Sequence, residues 1–109
     1  MAKPADFETN VFINCPFDKT YTPILEAIVF TVLACGYTPR SALQERDAAD
    51  IRLEKIKRLI NASQFGIHDI SRTEPDVGSG LPRFNMPFEL GLDIGARHYG
   101  AKHLKEKKY

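Results

Sequence analysis

Short apolar runs alternate with amphipathic segments along this chain, and the alternation limits the folds that it can adopt. Asn10–Asn14 and Gln64–Ile70 are apolar runs of strand length. Between them lie two segments with apolar residues three and four positions apart, the first opening at Thr22-Pro23 and the second near Ala49. Strands separated by amphipathic helices are typical of parallel sheets with right-handed crossovers. The pattern therefore predicts an α/β protein.

The predicted elements follow one another in the order β-α-β-α-β-loop-α. Strands are expected at 10–14, 37–43 and 64–70, helices at 22–36, about 49–62 and 85–100, and a loop rich in Gly, Pro, Ser and acidic residues at 71–82. This order predicts a flavodoxin-like open parallel sheet with helices on both faces. Residues 1–109 are expected to form a single domain. Because a further strand should follow the last helix, the sheet is expected to be truncated before its last strand.

Local signals predict the ends of the helices. A hydroxyl cap at Thr22 with a proline at the first position opens the first helix, and Gly36 ends it. In the last helix, Asn85 or Met86 is expected to be the cap, and Pro87 to take the first position. The charged face of the second helix is interpreted as solvated surface, and it consists of Arg52, Glu54, Lys55, Lys57 and Arg58.

Glu89 is the most informative residue of the last helix. The residues around it are mostly apolar up to Arg97, so the helix is expected to be buried on most sides. Burying a lone carboxylate costs roughly several kcal/mol unless it is paired or the site is open to a ligand. Glu89 is therefore a candidate catalytic acid. The alternative is a surface carboxylate that stabilises the helix dipole.

Further polar residues follow the predicted strands, at the edge where open parallel sheets bind their ligands. Asn14 to Asp18 follow the first strand, Arg40 ends the second, and Asp69 with Ser71 ends the third. Glu89 and Asp69 are the candidate catalytic carboxylates, expected to face one cleft. The candidate substrate-binding residues are Asn14, Cys15, Pro16, Phe17, Asp18, Arg40, Ser71 and Met86.

Several of these residues have structural alternatives. Asp69 can simply cap the turn that follows its strand. Phe17 fits the core as well as it fits a platform for base stacking. Cys15 has no base near it in sequence, which disfavours a nucleophilic role. His68 alternates with Asp69 along the strand, so the two side chains are expected on opposite faces, and His68 is interpreted as structural.

Composition excludes some other classes of protein. A formal net charge of +1 gives no basis for binding nucleic acid or an anionic membrane, and no apolar run is long enough to span a bilayer. The scattered histidines have no metal-ligand spacing. Two cysteines make no disulfide framework and favour a reducing cytoplasm. A phosphoacceptor receiver domain would need an acidic cluster for Mg²⁺ where this chain has Asn14-Cys15.

Two motifs carry a resemblance to known proteins. The first is the opening Phe12-Ile13-Asn14-Cys15-Pro16-Phe17-Asp18, and the second is Pro87-Phe88-Glu89-Leu90-Gly91 on the last helix. Together with a third strand that contains an Asp, these two motifs resemble those of the superfamily that unites nucleoside 2-deoxyribosyltransferases with TIR domains. Residues 11–99 as a whole resemble bacterial TIR-like proteins of that superfamily. The resemblance implies that Glu89 is the catalytic residue of NAD cleavage.

The resemblance also implies the setting of the reaction. NAD would be the substrate, with no other cofactor, and a homo-oligomer or partner would complete the site. The family setting is bacterial antiviral defence, in which loss of NAD halts an infected cell. The alternatives are deoxyribosyl transfer or hydrolysis acting on nucleosides, and a non-catalytic TIR-like module that binds nucleotides and assembles.

Overall fold

Parallel pairing around one buried strand organises the fold. The computed structural model describes residues 2–42, 52–72, 74–75, 77–78, 80 and 84–109. Strand β1 (Asn10–Asn14) lies between β2 (Thr38–Arg40) and β3 (Phe65–His68), and both pairings are parallel. All five residues of β1 are buried, as expected for a central strand. Leu43 of the predicted second strand lies outside the described residues.

Helices cover both faces of the sheet. Helix α1 (Thr22–Ala34) follows β1, α2 (Arg52–Asn61) precedes β3, and α3 (Asn85–Tyr99) follows β3. Phe12 packs against α2, whereas its neighbour Ile13 packs in a cluster against α1, because successive strand residues point to opposite faces. The prediction of an open flavodoxin-like α/β sheet with helices on both faces is therefore confirmed. Residues 49–51 of the predicted second helix are outside the described part of the chain.

The predicted helix ends are correct at Gly36 and wrong at two caps. Gly36 adopts φ +84°, and the amides of Gly36 and Tyr37 donate to the carbonyls of Leu33 and Val32 at 3.0 Å, which closes α1. Thr22 is already helical, and its hydroxyl donates to the carbonyl of Asp18. In α3 the cap position belongs to Phe84 and has no side-chain cap bond, so Asn85 and Met86 lie inside the helix and Pro87 comes third.

Helix α3 is not buried on most sides, which corrects the prediction from its apolar composition. Its fully buried residues are Met86, Glu89 and Asp93, whereas Phe88 is 57% exposed and Ile94 40% exposed. The spacing of the buried residues keeps them on one helix face. Two of the three are acids, so polar contacts as well as apolar packing hold this face against the sheet.

The end of the chain adds to the sheet beside β3. After a 3-10 helix (Lys102–Glu106), Lys108 forms an isolated parallel bridge with Phe65. The Gly66 amide donates to the Lys108 carbonyl and the Lys108 amide donates to the Gln64 carbonyl, both at 2.9 Å. Lys108 therefore extends the sheet beside β3 by a single bridge, after the last helix, where the sequence pattern called for a further strand and the sheet was expected to be truncated. No helix in the described ranges has the length and apolar character needed to cross a membrane.

Candidate functional site

Glu89 is a buried carboxylate one turn into α3. The residue is 4% exposed, and its Oε1 accepts a hydrogen bond from Nη2 of Arg52 at 2.9 Å. Arg52 is the first residue of α2, and its side chain is 51% exposed. The exposure of Arg52 agrees with the solvated face predicted for α2, whereas Lys55 of that predicted face is buried, 8% exposed. The contact between Arg52 and Glu89 was not predicted. The signal available in the sequence was a cation in the first turn of a helix, where the helix dipole disfavours it unless a carboxylate is close.

A cavity lies beside this ion pair, between α2 and α3. Its volume is about 240 Å³, and its lining includes Arg52, Ile56, Phe88, Glu89 and Leu92. Pockets for drug-sized ligands have volumes of about 300–1,000 Å³. The cavity therefore has room for one ring of a ligand, with the remainder outside it. A buried carboxylate beside a half-exposed cation, at the wall of an apolar cavity, is an arrangement able to stabilise positive charge on such a ring.

Asn14 joins the end of β1 to the start of α3. Its Nδ2 donates to the Met86 carbonyl at 2.8 Å and lies 3.0 Å from Nδ1 of His68. Both Asn14 and Met86 are almost completely buried. The two residues predicted to bind substrate are thus brought together, and their contact positions the helix turn that precedes Glu89.

Asp69 lies at the same edge of the sheet but its carboxylate is occupied by protein groups. Oδ2 accepts from the Tyr21 hydroxyl at 2.7 Å, and Oδ1 accepts from the Ser71 amide at 2.9 Å. The hydrogen bond from Ser71, then that from Tyr21, lowers the pKa of Asp69. The bond to Ser71 is the turn-capping arrangement that the sequence left open. Glu89 bonds to Arg52 of α2, whereas Asp69 bonds to Ser71 and to Tyr21, which precedes α1, so these bonds do not join the two carboxylates.

Cys15 lies within the electrostatic reach of both carboxylates. Its residue is 3% exposed, and burial, with the charges of Asp69 and Glu89, raises the pKa of the thiol to about 11. A nucleophilic cysteine needs a lowered pKa, so this environment keeps the thiol protonated at neutral pH. Cys15 and the exposed Cys35 are both free thiols.

The remaining predicted site residues divide between packing and loop contacts. Phe17 packs against the cluster of Ile13, Cys15 and Tyr21, which fits its core alternative. Asp18 pairs with Arg72 through both guanidinium nitrogens, and its Oδ1 also accepts from the Tyr21 amide at 2.9 Å. This pair ties the loop after β1 to the segment after β3. Pro16 is buried, and Ser71 is exposed.

Arg40 ends β2, as predicted, opposite Phe12 of β1. Its Nε is buried and has no hydrogen-bond acceptor among the residues that the structure describes. Buried donors are normally paired. Arg40 is therefore a candidate donor to a ligand at the carboxyl edge of the sheet.

Sequence reasoning missed a second group of buried charges under α3. Asp93 and Lys107 are both 0% exposed, with Oδ1 and Nζ 2.8 Å apart. Asp93 also contacts His68, which is the structural histidine of the sequence analysis and points away from Asp69 as predicted. Within the described ranges no cluster of three His, Cys, Asp or Glu side chains could hold a metal ion.

The fold and site together define a small α/β protein with an open parallel sheet and a buried glutamate, Glu89, at its carboxyl edge. Comparisons with protein-family models, with curated proteins and with solved structures give no match.

Proposed function

We propose that this protein is an N-glycosidase that cleaves NAD and releases nicotinamide, with Glu89 as its catalytic residue. The observation that carries the proposal is the burial of Glu89, 4% exposed, at the wall of a cavity of about 240 Å³. Only Arg52 among the described residues hydrogen-bonds to this carboxylate, and it does so through one oxygen. No hydrogen bond from the described residues reaches the second oxygen, and in this proposal that oxygen faces the substrate.

The chemistry needs a single well-placed carboxylate. When the bond between C1′ of the ribose and the nicotinamide nitrogen breaks, its electron pair neutralises the pyridinium ring. Positive charge develops on C1′ and the ring oxygen, as in other glycosidic cleavages. A preorganised carboxylate stabilises this charge more strongly than it stabilises the ground state. Water then bonds to C1′ and loses a proton to the solvent, giving ADP-ribose.

The other predicted site residues fit supporting roles in this reaction. Arg40, whose buried Nε has no acceptor among the residues that the structure describes, would bind the phosphates or the leaving base, together with the amides of the Asn14–Asp18 loop. Both oxygens of Asp69 are bonded within the protein. Asp69 therefore fits a role in holding the loop after β1 better than a role in direct contact with the ribose.

The Arg52–Glu89 ion pair favours one other function. A non-catalytic nucleotide-binding module that assembles with its own kind would use the same fold, and there Glu89 would serve only as the buried partner of Arg52. A nucleoside deoxyribosyltransferase or hydrolase would use Glu89 in the same way as the NAD-cleaving enzyme, but a purine leaving group would also need an acid to protonate it.

Base release separates these functions. The purified protein, at high concentration and with a crowding agent, is incubated with NAD, with ribonucleosides and with deoxyribonucleosides, and the released base is quantified by chromatography. A second base is added to one arm to detect transfer. The matched variants are Glu89→Gln and Glu54→Gln, because Glu54 is an exposed glutamate paired with Lys57 on the surface of α2.

We expect nicotinamide release that falls on the order of 100-fold or more in Glu89→Gln and is unchanged in Glu54→Gln. Full turnover by Glu89→Gln would refute the role of Glu89. Binding of NAD without release of any base would identify the assembly module, and a product that forms only with an acceptor base would identify the transferase.

Assembly and setting belong to the same proposal. Exposed apolar side chains on α1, with Phe30 73% and Leu33 57% exposed, support a homo-oligomer or a partner. Phe88, 57% exposed at the wall of the cavity, supports a partner that completes the site. Dependence of base release on protein concentration tests this part. The cytoplasmic antiviral role is what the family resemblance implies, and NAD loss on expression in a bacterial cell tests the depletion on which that role depends.

A further inference from the structure

A continuous chain of buried polar side chains runs beneath α3 and belongs neither to the Arg52–Glu89 pair nor to Asp69. It links Asn14, His68, Asp93 and Lys107. Asn14 Nδ2 lies 3.0 Å from His68 Nδ1, His68 Nε2 lies 2.7 Å from Asp93 Oδ2, and Asp93 Oδ1 lies 2.8 Å from Lys107 Nζ. Buried polar groups are costly unless they are paired, so such a chain constrains its members strongly. We call it the polar chain.

The donors and acceptors of the polar chain determine the tautomer of His68. Asn14 Nδ2 donates to the Met86 carbonyl at 2.8 Å, which identifies this atom as the amide nitrogen. A nitrogen that can only donate faces Nδ1 of His68, so Nδ1 must be the unprotonated acceptor. The ring proton therefore lies on Nε2 and is donated to Asp93.

The opposite orientation of the Asn14 amide fails at the helix. It would bring the amide oxygen against the Met86 carbonyl, leaving two acceptors face to face and removing the donor that holds the start of α3. A proton on Nδ1 of His68 would favour this orientation, because Nδ1–H would then need an acceptor. The contact between β1 and α3 thus depends on an unprotonated Nδ1.

We infer that His68 is a positioning residue: with its proton on Nε2, it fixes the amide of Asn14, which in turn holds the turn of α3 that precedes Glu89. Met86 lies one helical turn before Glu89, on the same buried face. His68 does not bond to Glu89, and its effect passes through Asn14 and Met86. The catalytic consequence rests on the proposed function, whereas the structural consequence does not.

Two further observations support a dedicated place for His68. The ring packs edge-on against Phe12 of β1, with centroids 5.7 Å apart. On β3, a Cβ at Gly66 would meet His68 Nε2 at 2.8 Å and would also contact Asp93 Oδ2. Only glycine at this position leaves room for the hydrogen bond between the imidazole and the carboxylate.

Two substitutions of His68 separate the two ends of its ring. Asparagine places an amide oxygen near the position of Nδ1, so His68→Asn can still accept from Asn14. Glutamine places an amide nitrogen near the position of Nε2, so His68→Gln can still donate to Asp93 but loses the acceptor for Asn14. His103→Gln is the control, because His103 is also buried but bonds to the Asn61 carbonyl.

The first readout is nuclear magnetic resonance of the ¹⁵N-labelled protein, which needs no substrate. We expect a protonated Nε2 and an unprotonated Nδ1 in His68, and slow exchange of the Asn14 side-chain amide protons. His68→Asn and His103→Gln should keep that slow exchange, and His68→Gln should lose it. The second readout is nicotinamide release, expected to fall about tenfold or more in His68→Gln and to be largely restored in His68→Asn.

A proton on Nδ1 of His68 in the native protein would overturn the inference. So would equal Asn14 exchange in His68→Asn and His68→Gln, or faster exchange in His68→Asn. If His68→Gln does not fold, the native tautomer and His68→Asn still decide. If the protein releases no base from any substrate, the proposed function fails while the tautomer and the exchange measurements still test the role of His68.

Discussion

The buried ion pair between Asp93 and Lys107 offers a quantitative test of how α3 is held. Both residues are 0% exposed, and Nζ of Lys107 also donates to the Ile60 carbonyl at 2.8 Å and to the Ser63 carbonyl. Burial lowers the pKa of Lys107, and Asp93 acts against that shift. Unit charges 2.8 Å apart attract by about 6 kcal/mol at an effective dielectric constant of about 20. Desolvation of the two ions offsets much of this attraction.

Removing one partner should therefore cost more than the pair contributes. Lys107→Met leaves the Asp93 carboxylate buried without its cation, and we expect the free energy of unfolding to fall by about 3–5 kcal/mol. Asp93→Asn leaves the ammonium without its anion and should have a cost of similar size. The double variant contains no buried charge at this position, so its cost should be lower than the sum of the two by about 2–3 kcal/mol.

Urea titration followed by far-ultraviolet circular dichroism measures these free energies. Lys102→Met is the control, since Lys102 is an exposed lysine on the 3-10 helix that precedes Lys107, and it should change stability by less than about 0.5 kcal/mol. Additive costs within about 0.5 kcal/mol, or a cost below about 1 kcal/mol for Lys107→Met, would refute the reasoning.

Three further predictions concern other contacts. Burial raises the pKa of the Cys15 thiol from 9.0 to about 11, so the unfolded chain loses this proton at a lower pH than the folded protein does. Between pH 9 and pH 11 the free energy of unfolding should therefore fall by up to about 3 kcal/mol. In urea titrations over this range, Cys15→Ala should lose correspondingly less stability than the parent protein. Tyr21→Phe should cost about 1 kcal/mol at pH 7. The pKa of Asp69 is lower in the folded protein than in the unfolded chain, and its ionised carboxylate accepts the bond from Tyr21. The stability that this carboxylate contributes is present above its unfolded pKa and is lost as the pH falls through its folded pKa. The difference in stability between Tyr21→Phe and the parent protein should therefore shrink in acid. Gly66→Ala should lower stability by about 1–3 kcal/mol in thermal melts, because a Cβ there would meet His68 and Asp93. Gly91→Ala should raise stability, because a Cβ there meets nothing within 4 Å and alanine favours a helix over glycine. Equal effects at the two glycines would contradict the packing described.

Local patterns in the sequence were sufficient to predict most of the elements. The apolar run Asn10–Asn14 is β1 with the bounds expected, and Gly36 ends α1 because it supplies the left-handed conformation. The alternation of His68 and Asp69, predicted from the pleat of a strand, agrees with their partners, since His68 bonds to Asp93 of α3 and Asp69 bonds to Tyr21 before α1. Each of these predictions needed information from only a few neighbouring residues.

The candidate site was predicted only in part. The sequence identified Glu89 as a buried acid but not its partner, because Arg52 is 37 residues away and belongs to a charged face that the pattern assigns to solvent. It also missed Asp93 and Lys107. In the sequence, both residues are indistinguishable from ordinary solvated charges. A charged side chain is buried only where a partner of opposite sign reaches it, and the sequence pattern does not show which residues meet in the fold.

The sequence by itself determined the order of strands and helices and the apolar residues that pack on each face of the sheet, because hydrophobic periodicity and turn residues act over short distances. Only the tertiary structure decided which face of α3 is buried and which polar groups meet beneath it. Apolar burial is non-directional and leaves several orientations of such a helix open. The hydrogen bonds from Asn14 to Met86 and from His68 to Asp93 require particular atoms at particular distances, and these are set only when β1, β3 and α3 have packed together.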